Sequence, residues 1–241
     1  MDKDELKQII QNLPDNSPKL LEYLKEAREK GWKDIVDLIA MKLGLKEEKK
    51  GKREESELLK KILRPLGKKK IEHTWDYSVD FLEAKKVLTS AYKQLFDLNL
   101  MPHEAYVAIL LIQLLNGARI KEAIRAFKTF VETGQKEFYL KAEKHGNVRV
   151  FVIPPVVRNR LSYKSVLTIA DDKLGARIRM FALKYLKCNT HSLRYALISH
   201  LAKEAVDPAI IAKITGHQDL ERIVQYTQTK DAVEILRKLS T

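Results

Sequence analysis

The stretch YVAILLIQLL, residues 106–115, restricts the fold more than any other part of the chain. It is too short for the ~18 apolar residues that span a bilayer, and it carries Gln113. It therefore reads as a buried helix, and a helix apolar all round needs other elements around it. Helical patterns run before it at 78–98 and after it, past a turn, at 116–132. Four more follow at about 163–187, 190–204, 207–215 and 219–228, with Asp207-Pro208 as a helix start. A last one, 231–240, places Val233, Leu236 and Leu239 at helical spacing. Between these, 136–155 alternates and is rich in Val, Phe and Tyr, with His145-Gly146-Asn147 as a hairpin turn signal and Pro154-Pro155 as its stop. Upstream, 17–31 has Ser17 as N-cap, Pro18 at the first helical position and Gly31 as a stop, and 33–45 forms a second short helix. KEEKKGKREESE, 46–57, lacks an apolar stripe and reads as a linker or a solvated helix end. LRPLGKKK, 63–70, breaks the helix and ends in Lys68, Lys69 and Lys70. The expectation is a mainly α protein with one small β-hairpin, divided into a small helical region, 1–66, and a larger one, 67–241.

Charge narrows the partner. Lys and Arg number 45 against 32 Asp and Glu, a formal net charge of +13. Such an excess points to a polyanion, most often nucleic acid, with an acidic membrane surface as the rival. No segment is apolar for long enough to span a membrane. The single cysteine, Cys188, rules out an intramolecular disulfide and a Cys-based zinc site, and the histidines lack metal-ligand spacing. The N-terminal MDKDELKQII is acidic and amphipathic, unlike a secretory signal, so the expected location is cytoplasmic and DNA-associated. Abundant Lys and Glu with few Gly, Cys and Met lean towards a thermophilic source.

Four groups of residues could carry chemistry. In GARIKEAIRAF, 117–127, Arg119 follows a glycine turn at a helix start, and Glu122 shares its face at i+3. A surface ion pair is one explanation, but a charge closing the most apolar segment of the chain needs a reason. In NTHSLRYALISHLAKE, 189–204, Leu193, Leu197 and Leu201 form the core stripe, while His191 and Arg194 sit on another face of the first turn. Free N–H groups and the positive dipole end suit an oxyanion there, and Arg adds a two-pronged donor. An ordinary capped helix with a solvated Arg is the alternative. The third group is Gly216-His217, followed by Tyr226 at 226 − 217 = 9 residues. His103 and His200 have no such company and read as structural. The fourth is the hairpin tip, where Lys141, Lys144 and Arg149 could reach a DNA groove or phosphate, or simply solubilise a turn.

Together, two Arg, two His, a Lys and a Tyr on a basic protein without a metal site suit phosphodiester transesterification by a tyrosine. A free phenol has a pKa near 10, so attack at neutral pH needs proton removal and a phosphate with its charge screened. Guanidiniums can clamp the non-bridging oxygens, and a Lys or His can protonate the leaving oxygen. The order and spacing of the motifs resemble the tyrosine recombinase (phage-type integrase) family. GARIKE, KHGNVR, HSLR, TGH and QYT stand in the family's order over roughly residues 75 to 230. The resemblance implies a tyrosine recombinase-like catalytic domain from 67 to 241, acting on double-stranded DNA as a dimer or tetramer, without cofactor. By the same resemblance, Arg119 and Arg194 would clamp the phosphate. His191 would act in acid/base catalysis, His217 would be an oxyanion donor, and Lys144 the general acid. Tyr226 would form a 3′-phosphotyrosyl link, and Glu122 would support the site.

Lys144 keeps the five-residue step to Arg149 of the family's hairpin, although Lys141 is close enough to substitute. Residues 1–66 would be a reduced or truncated DNA clamp, with Lys68, Lys69, Lys70 and Arg149 as further DNA contacts. Leu236 and Leu239 would pack on a neighbouring protomer or close their own core. Two alternatives stay open. A type IB topoisomerase uses the same chemistry, and a helix-turn-helix regulator would explain the charge and residues 191–217 without catalysis.

Overall fold

The computed structural model describes residues 2–15, 17–43, 45–67, 79–141 and 148–217. Its packing divides the chain into two units, 1–61 and 62–241. In the first, α1 (Lys3–Asn12) starts at Asp2, whose carboxylate accepts the Glu5 N–H at 2.8 Å. Leu6 and Ile10, four apart on α1, pack with Leu20, Leu24 and Ala27 of α2 (Lys19–Glu29) and with Ile35 and Ile39 of α3 (Lys33–Lys42). Gly31, at φ +68°, makes the turn between α2 and α3. The charged run expected to be a linker or a helix end is helical throughout, within α4 (Leu45–Ile62). Its Glu and Lys residues are strong helix formers, so backbone propensity suffices without an apolar stripe. The boundary falls before residue 66 because Leu63 and Leu66, both 1% exposed, belong to the second unit. There the Leu66 N–H donates to the Leu186 carbonyl at 2.8 Å.

The second unit begins, after Leu66, with α5 (Phe81–Asp97), capped by the Asp80 carboxylate on the Glu83 N–H. The apolar stretch lies in α6 (His103–Asn116), buried on nearly every side. Around it pack α5, α7 (Ile120–Thr133) and α10 (Thr190–Lys203). The antiparallel hairpin β1 (Glu137–Lys141) and β2 (Val148–Val152) pairs Phe138 with Phe151 and Leu140 with Arg149 on its inner face. The expected helix over 163–187 is broken. A 3₁₀ turn (Leu161–Tyr163) leads into α8 (Lys164–Leu167), then α9 (Asp171–Phe181), which ends in a π-helical turn (Ala182–Leu186). At the break, Thr168 donates its hydroxyl to the Ser165 carbonyl and Lys128 donates to the Ile169 carbonyl at 2.6 Å. These contacts compete with helical hydrogen bonds there. Lys128 also pairs with Asp171 at the start of α9.

After α10, α11 (Pro208–Thr215) starts at Asp207, which caps the Ala209 N–H, and ends at Gly216, at φ +71°. A buried polar chain pins 158–163 to α5 and α6. Tyr92 accepts from the Arg158 N–H and bonds the Tyr163 hydroxyl, Tyr163 donates to Glu104, and Arg160 donates to Glu104 at 3.1 Å. His103 stacks on Phe181 and His200 on Phe81, which are packing roles. No described helix is long and apolar enough to cross a membrane.

Candidate active site

The site is assembled around Gly117, where α6 ends in the left-handed region at φ +54°. A Cβ at this position would lie 2.8 Å from Cγ2 of Thr215 and 3.0 Å from Cδ2 of Leu197, so only glycine lets α6 approach α10 and α11 so closely. Two residues on, Arg119 occupies the N-cap of α7. Glu122, in the first turn, accepts the Arg119 N–H on Oε2 at 3.0 Å and Arg119 Nη1 on Oε1 at 3.1 Å. The same carboxylate, 1% exposed, accepts Nη2 of Arg149 at 2.7 Å. One buried carboxylate thus holds two guanidiniums, and Arg119 is the more exposed of the two, at 21% against 5% for Arg149.

Arg149 reaches this position from β2. Its Nη1 donates to the Asn116 carbonyl at 3.1 Å and to the Ile214 carbonyl at 2.5 Å, and its guanidinium lies over the Phe151 ring. The side-chain amide of Asn116 exchanges two 2.9 Å hydrogen bonds with the Val152 backbone, fastening the hairpin to the end of α6. Arg149 was expected at the DNA, with the hairpin-tip lysines. The pairing of its strand turns it the other way, to the inner face with Phe151, where it is 6% exposed.

The other half of the site comes from α10. Asn189 caps the helix through the His191 N–H, which sets His191 in the first turn and Arg194 at the start of the second. Arg194 is 1% exposed, and its Nη1 donates to the carbonyls of Gly117 at 2.6 Å and Thr215 at 2.8 Å. Its Nη2 lies 2.9 Å from Nε2 of His217, while Nδ1 of His217 lies 2.8 Å from the Thr215 hydroxyl. Thr215 donates that hydroxyl to the Ile211 carbonyl at 2.7 Å. One tautomer satisfies all three contacts: Nδ1–H donates to Thr215, and Nε2 accepts from Arg194.

Burial and the guanidiniums set the protonation states. Burial first, then Arg194 and Arg119, hold His217 down at about 3 and His191 at about 4, so both rings are neutral at pH 7. Burial, with Arg119 beside it, lowers Arg194 to about 10, and Arg149 is lowered chiefly by burial. Formal charges in the cluster are three guanidiniums and one carboxylate, +3 − 1 = +2. A tight, partly desolvated excess of positive charge with neutral imidazoles at its edge is suited to binding an oxyanion. Among the described residues, no group of three or more His, Cys, Asp or Glu could hold a metal ion.

The structure brings together Arg119, Glu122, His191, Arg194 and His217 from the sequence expectations. Lys141 is exposed at the end of β1, paired with Val148. Lys144, Tyr226, the lysines at 68–70, the hairpin turn and the two helices expected after residue 218 lie outside the described residues. Asn116 and Thr215 were not singled out from sequence. The signals were slight: an Asn closing an apolar run, and a Thr beside Gly216-His217.

A family model, the Phage integrase family, matches residues 136–232, from the hairpin to beyond Tyr226. The chain belongs to this family, the tyrosine recombinases, and is an integrase-type, DNA-binding recombinase. It is 73% identical over 240 residues, 100% of both chains, to a protein of Acidianus two-tailed virus named "Putative integrase ORF241". A Sputnik virophage protein also named "Putative integrase" is 30% identical over 207 residues, 70% of this chain and 92% of that one. An uncharacterized protein of Methanocaldococcus jannaschii is 27% identical over 203 residues, 71% and 91% of the two chains. No solved structure matches the chain.

Proposed function

We propose that this chain recombines DNA at defined sites by cutting and rejoining strands through a 3′-phosphotyrosyl intermediate. The observation that carries this is the convergence of Arg119, Arg194 and His217 on the Gly117 turn, with a formal excess of +2. A phosphodiester carries one negative charge, and attack by a phenolate raises it to two in the pentacoordinate transition state. The cluster therefore matches the transition state better than the ground state, which is the condition for catalysis.

In this mechanism the Tyr226 oxygen attacks the scissile phosphorus as the bond to the 5′ oxygen breaks. His191 takes the phenol's proton, and Lys144 gives one to the departing 5′ oxygen, with Lys141 the other candidate. Arg119 and Arg194 hold the non-bridging oxygens. An oxyanion that draws Arg194 Nη2 away frees Nε2 of His217 and favours its protonated, donating form. Rejoining reverses each step with a new 5′ hydroxyl. The lysines at 68–70 add phosphate contacts, the N-terminal unit acts as a reduced clamp, and exchange between two sites proceeds in an oligomer on DNA.

The test uses a nicked substrate carrying a site selected by binding from a random library. The nick releases a short strand after cleavage and traps the enzyme. A covalent protein–DNA adduct that survives EDTA and disappears in Tyr226→Phe is expected. Tight binding to the selected site with no adduct overturns the proposal.

A further inference from the structure

We propose that Arg149 is a positioning residue for this recombination site, acting by taking up the charge of Glu122 so that Arg119 stays free for phosphate. The inference rests on the proposed phosphate clamp. Three observations lead to it. Arg149 makes the shorter bond to Glu122, 2.7 Å, while the side chain of Arg119 makes the longer one, 3.1 Å. Arg149 is the inward partner and Arg119 the outward one, at 5% and 21% side-chain exposure. Nη1 of Arg149 donates to backbone carbonyls at the two turns that build the site. Asn116 precedes Gly117, whose carbonyl holds Arg194, and Ile214 precedes Thr215, which holds both Arg194 and His217.

Guanidinium geometry explains why this position needs arginine. Its planar fork reaches the carboxylate and both carbonyls at once, which a single ammonium cannot do. Its charge offsets the carboxylate locally, which would otherwise fall on Arg119 alone of this pair and draw it back from the phosphate. It also carries the hairpin. Because Arg149 belongs to β2, the strand that follows Lys144 in sequence is tied to the clamp by the same side chain. Charge compensation and hairpin placement are thus joined in one buried residue.

The experiment compares Arg149→Met, Arg149→Lys and the double variant Arg149→Met/Glu122→Gln in the full chain, on the nicked substrate, with folding checked by thermal melting. The expected result for Arg149→Met is a rate of adduct formation at saturating DNA about 10²-fold below wild type, the scale of losing one electrostatic contributor. DNA affinity stays within about 3-fold and the salt slope changes by well under one, since Arg149 itself is not a phosphate ligand and the contact that Arg119 loosens is one among many along the duplex. Arg149→Lys is slowed as well. Adding Glu122→Gln recovers at least about 10-fold of the rate, a rescue that a purely structural role would not give.

A salt slope reduced by about one with a normal saturated rate marks a groove contact and overturns the inference. So does a double variant as slow as Arg149→Met, or one that no longer folds. Wild-type protein that forms no adduct overturns the functional proposal itself and this inference with it. An active wild type with unaffected Arg149 variants overturns this inference alone.

Discussion

Gly117→Ala puts a number on how closely the site is packed. An alanine there must hold φ near +54°, which costs an L-residue about 1–2 kcal/mol. Its Cβ must also fit where Cγ2 of Thr215 stands at 2.8 Å and Cδ2 of Leu197 at 3.0 Å. The leucine tip can rotate away, but Thr215 is held by Ile211 and His217, so overpacking adds about 1–3 kcal/mol. The sum, roughly 2–5 kcal/mol, corresponds to a melting midpoint lower by about 5–15 °C for a unit of 241 − 61 = 180 residues. Calorimetry of the full chain reads it directly. The steric part can be separated from the backbone part. Thr215→Ser removes the obstructing methyl and keeps the hydroxyl, so adding it to Gly117→Ala should restore about 1–2 kcal/mol, leaving the φ penalty. A single variant melting within about 2 °C of wild type refutes the packing argument, as does a double variant with no recovery.

Three other perturbations probe the same structure. His217 at about 3 and His191 at about 4 lie below the ordinary 6.5, so the unfolded chain binds more protons between these values. Stability from the pair is complete above pH 6.5 and falls with acid, by up to about 1.4 kcal/mol per pH unit for each ring. Urea midpoints at pH 7.5 and 5.5 should differ, less so in His217→Gln, and equal midpoints contradict it. Tyr163→Phe removes a donor from Glu104, which is 0% exposed, and should cost about 1–3 kcal/mol in denaturant unfolding; an unchanged midpoint would mean that the hydroxyl contributes nothing there. Arg194→Lys cannot serve Gly117, Thr215 and His217 together, so adduct formation should slow about 10²–10³-fold. A rate within a few-fold of wild type removes Arg194 from the clamp.

What could be read from sequence was mostly what is local. YVAILLIQLL had to be a buried helix because of its length and all-round apolarity, and it forms most of α6. The starts of α10 and α11 were legible because their caps, Asn189 and Asp207, lie within two residues of the N–H groups they accept. The break after α8 was not, because it depends partly on Lys128, 41 residues from Ile169. The inward turn of Arg149 was hidden for another reason. In VRVFV both alternating faces hold apolar residues, so parity is ambiguous until Phe138 pairs with Phe151. For the candidate site, motif order singled out Arg119, Glu122, His191, Arg194 and His217, which the fold places together. Asn116 and Thr215 act through contacts 36 and 21 residues away along the chain, to Val152 and Arg194, which no local pattern announces. The roles of Tyr226 and Lys144 rest on that motif order.

The most direct test of the central claim is to identify the residue bound to DNA. The adduct on a nicked substrate, formed in EDTA, is digested with protease and nuclease, and the nucleotide-bearing peptide is sequenced by mass spectrometry. The account predicts a single modified peptide, with a 3′-phosphate esterified to Tyr226 and a free 5′ hydroxyl on the released strand. Attachment to any other residue, or a linkage to the 5′ end, contradicts it.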